Sequence, residues 1–493
     1  MQQISKKTYA YFEEQLYKFP GFYVQNRSLR EYPKSIAAHT LGYVGEVSRS
    51  RLRKDDYYNQ GDYIGISGLE STYEKDLRGE KGLELVMVDV HNREKGSYKN
   101  GKYDTAAIKG KDLISTIDMA LQAYGEKLME NKKGSIVAIE PESGGILSLV
   151  SSPTYDPNLL VGRVRGKNYN KLKKDTLRPL FNRALMAQYS PGSTFKLMNA
   201  LVALQEGMIS QNTKFGCDGV VSWPIKCSHN HISPLGLVEA IEQSCNPYFW
   251  KTFRRSINNP SFENSAEGFQ KWREYVVSMG FNQRFNTDVT NEKKGFIPKK
   301  GYYDHYYSEG HWNAMTIRSL AIGQGEILVT PLQLANFATI MANRGYYYPP
   351  HLVQKVGEKE TEYREFKNRK HSLIERVNFE PVVEGMRRVF EGDHGTGRWY
   401  NIDTIPMAGK TGTVQNPHGE DHSIFIAFAP IENPKIAMSV IVENSGYGSK
   451  WAVPIATLMI EKYMNGKISR KWVEDRMLEG NLIAKEKDSE EEE

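Results

Sequence analysis

Tyr189-Ser190-Pro191-Gly192-Ser193-Thr194-Phe195-Lys196 is followed at once by an apolar-periodic run over residues 197–204 and a stop at Gly207. Pro-Gly ahead of Ser193 suits the start of a helix. On such a helix Ser193 and Lys196 stand three positions apart and share a face, which brings an amine within reach of a hydroxyl. The helix N-terminus adds partial positive charge and free N–H groups. A serine hydroxyl is a weak nucleophile until a base takes its proton, and a desolvated lysine with lowered pKa is such a base. Alone, S-x-x-K equally describes a surface helix that happens to begin with serine, so the reading needs support from elsewhere in the chain.

Two further segments supply it. Ser244-Cys245-Asn246 lies between apolar helix-like stretches, residues 235–241 and 247–253. Lys410-Thr411-Gly412-Thr413 is preceded by a predicted strand, 405–408, and followed by an apolar run, 425–429. Gly412 lets a substrate backbone approach the strand edge, with Lys410 and both threonine hydroxyls facing the same cleft. The order S-x-x-K, S-x-N, K-T-G-T is the serine acyl-transfer signature of penicillin-binding proteins and β-lactamases.

The surrounding pattern predicts an α+β fold. Strands are expected at 112–118, 134–140, 145–150, 404–408, 423–429 and 436–443, with a helix at 119–129 and a mainly helical middle over 180–400. Strands at both ends of a helical middle imply a sheet closed by chain-distant strands. Residues 1–110 read as an open, elongated module with short strands such as 83–90 and helices at 6–17 and 68–77. Residues 111–475 read as one large domain, and 476–493 as an acidic tail expected to be disordered. The 493 residues carry a net +6, and the last nine hold six acids against two lysines, so the rest carries +10. That charge favours anionic surroundings without choosing among them.

With these segments in hand, the chain resembles the class B penicillin-binding proteins, most closely the penicillin-binding protein 2 group of the elongation machinery. The likeness extends to Gly61-Asp62-Tyr63-Ile64-Gly65, Thr116-Ile117-Asp118, Ser151-Ser152-Pro153-Thr154-Tyr155-Asp156-Pro157-Asn158, Gly323-Gln324-Gly325-Glu326 and Thr330-Pro331-Leu332-Gln333. The resemblance implies a D,D-transpeptidase domain of central antiparallel sheet and helical subdomain on a partial pedestal. It further implies cross-linking of peptidoglycan stem peptides through a Ser193 acyl-enzyme, with Lys196 as base. Ser244 relays a proton with help from Lys410. Asn246, Thr411, Gly412 and Thr413 bind the donor, backbone N–H groups of Ser193 and Thr413 form the oxyanion hole, and β-lactams inhibit. No cofactor is needed for acyl transfer. Implied partners are a SEDS-type glycosyltransferase and a rod-complex scaffold protein, with no nucleic acid. Family members ordinarily carry a transmembrane helix ahead of the pedestal; none precedes Met1 here, so the resemblance places an anchor outside these residues and the protein on the periplasmic face of the inner membrane. A β-lactamase-type hydrolase and a β-lactam-acylated sensor share the same motifs and are the alternatives.

One cluster stands apart. Cys217, Cys227, His229 and His231 fall within fifteen residues, at a spacing that supplies four tetrahedral ligands to zinc, and some relatives resemble this. A Cys217–Cys227 disulfide, or two buried cysteines with two loop histidines, fit the same residues. Cys245 is expected to be a small buried residue, with metal ligation as the lesser reading. Gly395-Thr396-Gly397 is read as a weak phosphate-type pattern, and His422 as a loop stabiliser.

Overall fold

A computed structural model describes residue 4 and residues 6–19, 29–90, 94–360, 364–416 and 419–484. Its centre is a five-stranded antiparallel sheet of β1 (Gly134–Ile139), β2 (Ile146–Ser152), β3 (Ala408–Val414), β4 (His422–Ala429) and β5 (Ile436–Val442), in the order β3-β4-β5-β1-β2. The β5–β1 pairing, Val442 opposite Gly134 and Ala437 opposite Ile139, joins segments three hundred residues apart and closes the sheet as the sequence pattern implies. Side chains of β4 alternate between two cores: Ile424, Ile426 and Phe428 enter one, and Phe425, Ala427 and Ala429 the other. Both faces are therefore dry, which is why these strands read as nearly continuous apolar runs.

Helices cover each face. On one lie α1 (Met119–Leu128) and, late in the chain, α7 (Ala452–Asn465) and α8 (Lys471–Glu479); the other is packed by α3 (Lys196–Gln205), α4 (Asn246–Ile257), α5 (Pro331–Ala342) and α6 (Phe379–Glu391). A further helix, α2 (Arg165–Lys174), follows β2. The caps explain two of the quoted segments. Asp118 accepts from the Leu121 N–H to begin α1, and Thr330 and Gln333 form a reciprocal capping box around Pro331 to begin α5.

Several boundaries move. β3 contains the whole K-T-G-T segment instead of ending before it. The 112–118 strand contracts to Leu113–Ser115 and pairs with Val353–Val356. The 83–90 strand contracts to Val86–Val88, and the 6–17 helix to Lys6–Glu13. The 68–77 helix divides at Tyr73, because that residue turns inward to donate its hydroxyl proton to Asp288 at 2.6 Å. The tail does not begin at 476: Val473 and Met477 of α8 are fully buried, and the chain is described to Ala484. Residues 485–493 of the expected disordered tail lie outside the described residues.

The N-terminal module grips the sheet domain through polar contacts. Besides Tyr73–Asp288, Asn158 exchanges two hydrogen bonds with the Tyr32 backbone, and the Ala37 N–H donates to Glu126. His39 sits edge-on to Tyr155, with ring centroids 5.4 Å apart and its Nε2 enclosed without a partner among the described residues. Burial pushes its pKa from 6.5 down to about 4, against a hydrogen bond to the Pro179 carbonyl and with help from the Arg183 charge. The unfolded chain therefore takes this proton first, so stability is full above pH 6.5 and is lost as pH falls toward about 4. Between pH 7 and pH 5 the chain should lose about 2 kcal/mol that a His39→Gln variant keeps, measured by denaturant unfolding. Parallel pH profiles for the two proteins would refute this role for His39.

Candidate active site

Ser193 lies in a 3-10 turn, Gly192–Phe195, that leads into α3 at Lys196 instead of belonging to it. The turn is set by contact. Gly192, at φ +56°, donates its N–H to the Gly323 carbonyl at 2.9 Å. A Cβ on Gly323, at φ +70°, would stand 2.2 Å from the Gly192 oxygen, so the Gly323-Gln324-Gly325 segment buttresses the serine turn only as glycine. On the opposite side a Cβ on Gly412 would meet the Thr194 methyl at 3.1 Å, which leaves β3 lying directly against the turn. Ser193 itself is half-buried, while Thr194, Phe195 and Lys196 are buried.

Lys196 and Lys410 are both fully buried, and both bond Ser244. Lys196 Nζ donates to the Ser244 carbonyl at 2.7 Å, to Ser244 Oγ at 3.1 Å and to Asn246 Oδ1 at 2.6 Å. Lys410 Nζ donates to the same Oγ at 2.8 Å and to the Thr411 carbonyl at 3.1 Å. Burial pushes the Lys196 pKa down to about 8, and burial together with the Lys196 charge holds Lys410 well below the usual lysine range. No carboxylate bonds either amine among the described residues. Burial and mutual repulsion thus favour loss of a proton from the pair, and the Ser244 hydroxyl links the two amines. The backbone of Ser244 is left-handed, φ +57°, so that its carbonyl and hydroxyl both face Lys196 while Cys245 turns away to cap α4.

The substrate-side groups come from the start of α4 and from β3. Asn246 Nδ2 donates to the Lys226 carbonyl at 2.8 Å. Thr413 Oγ1 accepts from the Gly448 N–H at 3.3 Å, which seats the Gly446-Tyr447-Gly448 turn on the rim of the cleft, whereas Trp451 packs toward Gly480 and away from it. Thr411 Oγ1 lies 3.0 Å from Thr396 Oγ1, a partner that sequence reasoning missed. The glycines around Thr396 signal close packing behind β3: a Cβ on Gly395 would stand 2.3 Å from the Val389 carbonyl. The same loop is tied down by buried Glu242, which accepts from the His394 N–H at 3.0 Å. His422 accepts from the Asn444 N–H and stacks edge-on against Tyr189.

Beside Ser244, the ligand atoms of Cys217, Cys227, His231 and Cys245 all lie within 4.8 Å of one another. Cys245 thus takes the place expected for His229, which instead bonds Ser228 and leans on the His231 ring. All three cysteines are free thiols, so Cys217 and Cys227 form no disulfide. His231 Nδ1 is 3.1 Å from the Ile232 carbonyl, which can only accept, so Nδ1 carries the proton and Nε2 turns its lone pair to Cys227 Sγ at 3.3 Å. Backbone N–H groups of Gly219 and Tyr248 donate to the sulfurs of Cys217 and Cys245. The hydrogen bond from Cys245 draws the Cys227 thiol down against its burial. Three soft sulfurs and one imidazole with its tautomer set by a carbonyl fit a tetrahedral zinc ion.

Comparison with known proteins matches residues 134–461 to the penicillin-binding protein transpeptidase domain and residues 1–115 to the penicillin-binding protein dimerisation domain. The chain is 31% identical to the peptidoglycan D,D-transpeptidase MrdA of Acinetobacter baumannii, over 91% of this chain and 68% of that protein. It is 29% identical to the Escherichia coli K12 protein of the same name, over 89% of this chain and 72% of that one. Among solved structures, Pseudomonas aeruginosa PBP2 in complex with WCK 5153 superposes with a TM-score of 0.73 at 29% identity, covering 90% of this chain and 93% of that one. Helicobacter pylori PBP2 in complex with MreC gives 0.77 at 27% identity, covering 94% and 84%.

The Thr396–Thr411 bond has a measurable consequence. Thr396→Val keeps the volume but leaves the Thr411 hydroxyl to reorient, and should slow acylation by a labelled penicillin roughly 5-fold while leaving unfolding unchanged. Thr396→Ser should restore the rate. Equal rates in all three proteins would remove Thr396 from the site.

Proposed function

The chain belongs to the penicillin-binding protein transpeptidase family, and from that premise we propose that it is a serine-type peptidoglycan D,D-transpeptidase in which Ser193 carries the acyl group. The observation that carries the assignment of roles is the meeting of Lys196, three residues after Ser193, and Lys410 on the Ser244 hydroxyl. Ser193 Oγ attacks the carbonyl carbon of the penultimate D-alanine as its proton passes to neutral Lys196. Burial keeps a useful fraction of that amine unprotonated near neutral pH. The tetrahedral oxyanion is held by the Ser193 and Thr413 N–H groups, an arrangement worth several kcal/mol in acyl transfer. As the C–N bond breaks, Ser244 passes a proton to the departing D-alanine amine and is resupplied across the lysine pair. An acceptor amine then attacks the ester and regenerates Ser193. Asn246 orients the donor peptide edges, and the Lys410 amine with the Thr411 and Thr413 hydroxyls donates hydrogen bonds to its terminal carboxylate beside Gly412. A hydrolase or sensor reading is not favoured by the relatives, which are transpeptidases by name.

Acyl transfer by these residues needs no cofactor. A structural zinc ion held by Cys217, Cys227, His231 and Cys245 is the reading the donor set supports. It would supply no chemistry to the substrate and would fix Cys245, and with it Ser244 and Asn246. Residues 1–110 act as the pedestal and 111–475, with the rest of α8, as the catalytic domain. A scaffold of the MreC kind and a glycosyltransferase are the partners, supported by the relative solved with MreC and by a peptidoglycan synthase complex of TM-score 0.78 at 25% identity. We infer from this substrate that the catalytic domain works on the periplasmic face of the membrane, in cell elongation. Among the described residues no helix is long and apolar enough to cross a membrane.

Intact-mass analysis after incubation with penicillin should show one persistent adduct, absent in Ser193→Ala. Cross-linking by that variant beside its glycosyltransferase should fall at least about 10³-fold. Cross-linking that survives the substitution overturns the mechanism. Protein purified without added metal should contain about one equivalent of zinc, falling in Cys245→Ser, and less than about 0.1 equivalent defeats the metal assignment.

A further inference from the structure

Tyr189 stands four residues before Ser193 and is buried, yet the acyl-transfer chemistry gives it no part. Its hydroxyl donates to Glu443 Oε1 at 2.6 Å, and Arg183 Nε donates to the same oxygen at 3.1 Å. Burial together with the Glu443 charge holds the Tyr189 proton well above the usual tyrosine range, so the phenol donates and the carboxylate accepts. The Arg183 and Glu443 side chains are 7% and 20% exposed, so water screens their charges little. Arg183 is fixed in turn: Nη2 donates to the Leu177 carbonyl at 3.0 Å, and its backbone N–H donates to Ser151 Oγ of β2 at 2.8 Å.

These contacts join the two sides of the cleft. Tyr189 belongs to the serine side: its N–H and carbonyl exchange bonds with Val329 at 2.9 and 2.8 Å, and three residues on, Gly192 is held by the Gly323 carbonyl. Glu443 belongs to the strand side, directly after β5. The next residue, Asn444, donates its N–H to His422 Nδ1 at 3.2 Å, and His422 pairs with Val414, the residue after Thr413. The Tyr189 ring meets His422 edge-on, with centroids 5.7 Å apart. One side chain therefore touches the ends of β4 and β5 while its backbone leads into Ser193. Packing limits the same gap from below, since a Cβ on Gly192 would stand 2.9 Å from the Thr413 carbonyl oxygen. Such packing resists closing far more than parting. The Tyr189–Glu443 bond resists parting.

We propose that Tyr189 is a positioning residue for acyl transfer: through Glu443 it holds the Ser193 turn at the distance from β3 at which the Ser193 and Thr413 N–H groups converge on one oxyanion. The proposal rests on the oxyanion hole assigned above. Donors of this kind act only where they meet the charge as it develops, so a small misplacement is costly. The cost falls on the acylation step, because the first noncovalent complex carries no full oxyanion.

Stopped-flow acylation of the whole chain by a fluorescent penicillin, over a range of concentrations, separates the dissociation constant of the first complex from the acylation rate constant. Tyr189→Phe should lower the rate constant at least about 10-fold and change the dissociation constant less than about 2-fold. In infrared difference spectra of its acyl-enzyme the ester carbonyl stretch should move to higher wavenumber, as weaker hydrogen bonds reach that oxygen. A loss of stability alone would not move this band. Glu443→Met should reproduce both effects, which carries the test if Tyr189→Phe fails to fold. The double variant Tyr189→Phe/Glu443→Met should be no slower than either single one, since Tyr189 acts through Glu443. Glu443→Gln, which offers one amide oxygen to both bonds, should recover most of the rate lost in Glu443→Met. Acylation of Tyr189→Phe at the parental rate, a loss confined to the dissociation constant, an unmoved carbonyl band, or additive losses in the double variant each overturn the proposal. A parental chain that penicillin does not acylate at Ser193 sinks the transpeptidase reading and this proposal with it, and the parental rate alone tells that failure from the others.

Discussion

Two buried amines meet on one hydroxyl. Lys196 and Lys410 bond Ser244 Oγ at 3.1 and 2.8 Å in a site with no bonded carboxylate among the described residues, so the pair cannot carry two full charges there at modest cost. That constraint demands three segments far apart in sequence, each delivered by a rigid element. Lys196 opens a buried helix, Ser244 ends a turn held left-handed, and Lys410 sits within a strand dry on both sides. The sheet order, in which β1 pairs with β5 across three hundred residues, places β3 at the edge where the serine turn can reach it. The glycines at 192, 323 and 412 are the consequence of that closeness, since each stands where backbone or side chain leaves no room for a Cβ without displacement.

The Cys/His cluster belongs to the same constraint. Cys245 is flanked by the two residues that Lys196 bonds, and its sulfur faces Cys217, Cys227 and His231. Whatever fixes Cys245 therefore fixes both acceptors of the Lys196 amine, one on each side. The loop 217–231 is also tied to the cleft by the Asn246 bond to Lys226, so it cannot shift without moving a substrate-side amide.

Much of this was legible because the chemistry is local. S-x-x-K, S-x-N and K-T-G-T each carry their meaning in three or four residues, and β1 and β2 are apolar runs with a turn between them. What was not legible depends on contacts. Lys410-Thr411-Gly412-Thr413 has poor strand propensity, and it becomes a strand because Ile426, Phe425, Ile424 and Ser423 of β4 pair with it residue for residue. His229 and His231 are equivalent by spacing, and only the loop path turns His231 inward. Cys245 was only the lesser candidate, because it lies inside a motif already given another meaning. The signal for α8 was present in Val473 and Met477, four apart, but lay among the charges of Glu474, Asp475, Arg476 and Glu479 that made the segment look like the start of a tail.

The N-terminal module is held by hydrogen bonds and an enclosed imidazole as well as by the apolar packing of Ala38, Leu69 and Tyr73. Its own hairpin, Val86–Val88 with Glu94–Ser97, is exposed along the first strand, whereas its inner end places Tyr73 on Asp288 and His39 on Tyr155. Asp288 also accepts from the Leu352 N–H at 2.5 Å and the Val353 N–H, beside the strand that pairs with Leu113–Ser115. One carboxylate thus collects the module, the catalytic domain and the segment between them. Directional contacts of this kind tolerate little sliding but release together once broken, whereas an apolar interface of similar extent would slip by small steps. Within this grip the element most sensitive to mild acid is the unprotonated ring of His39.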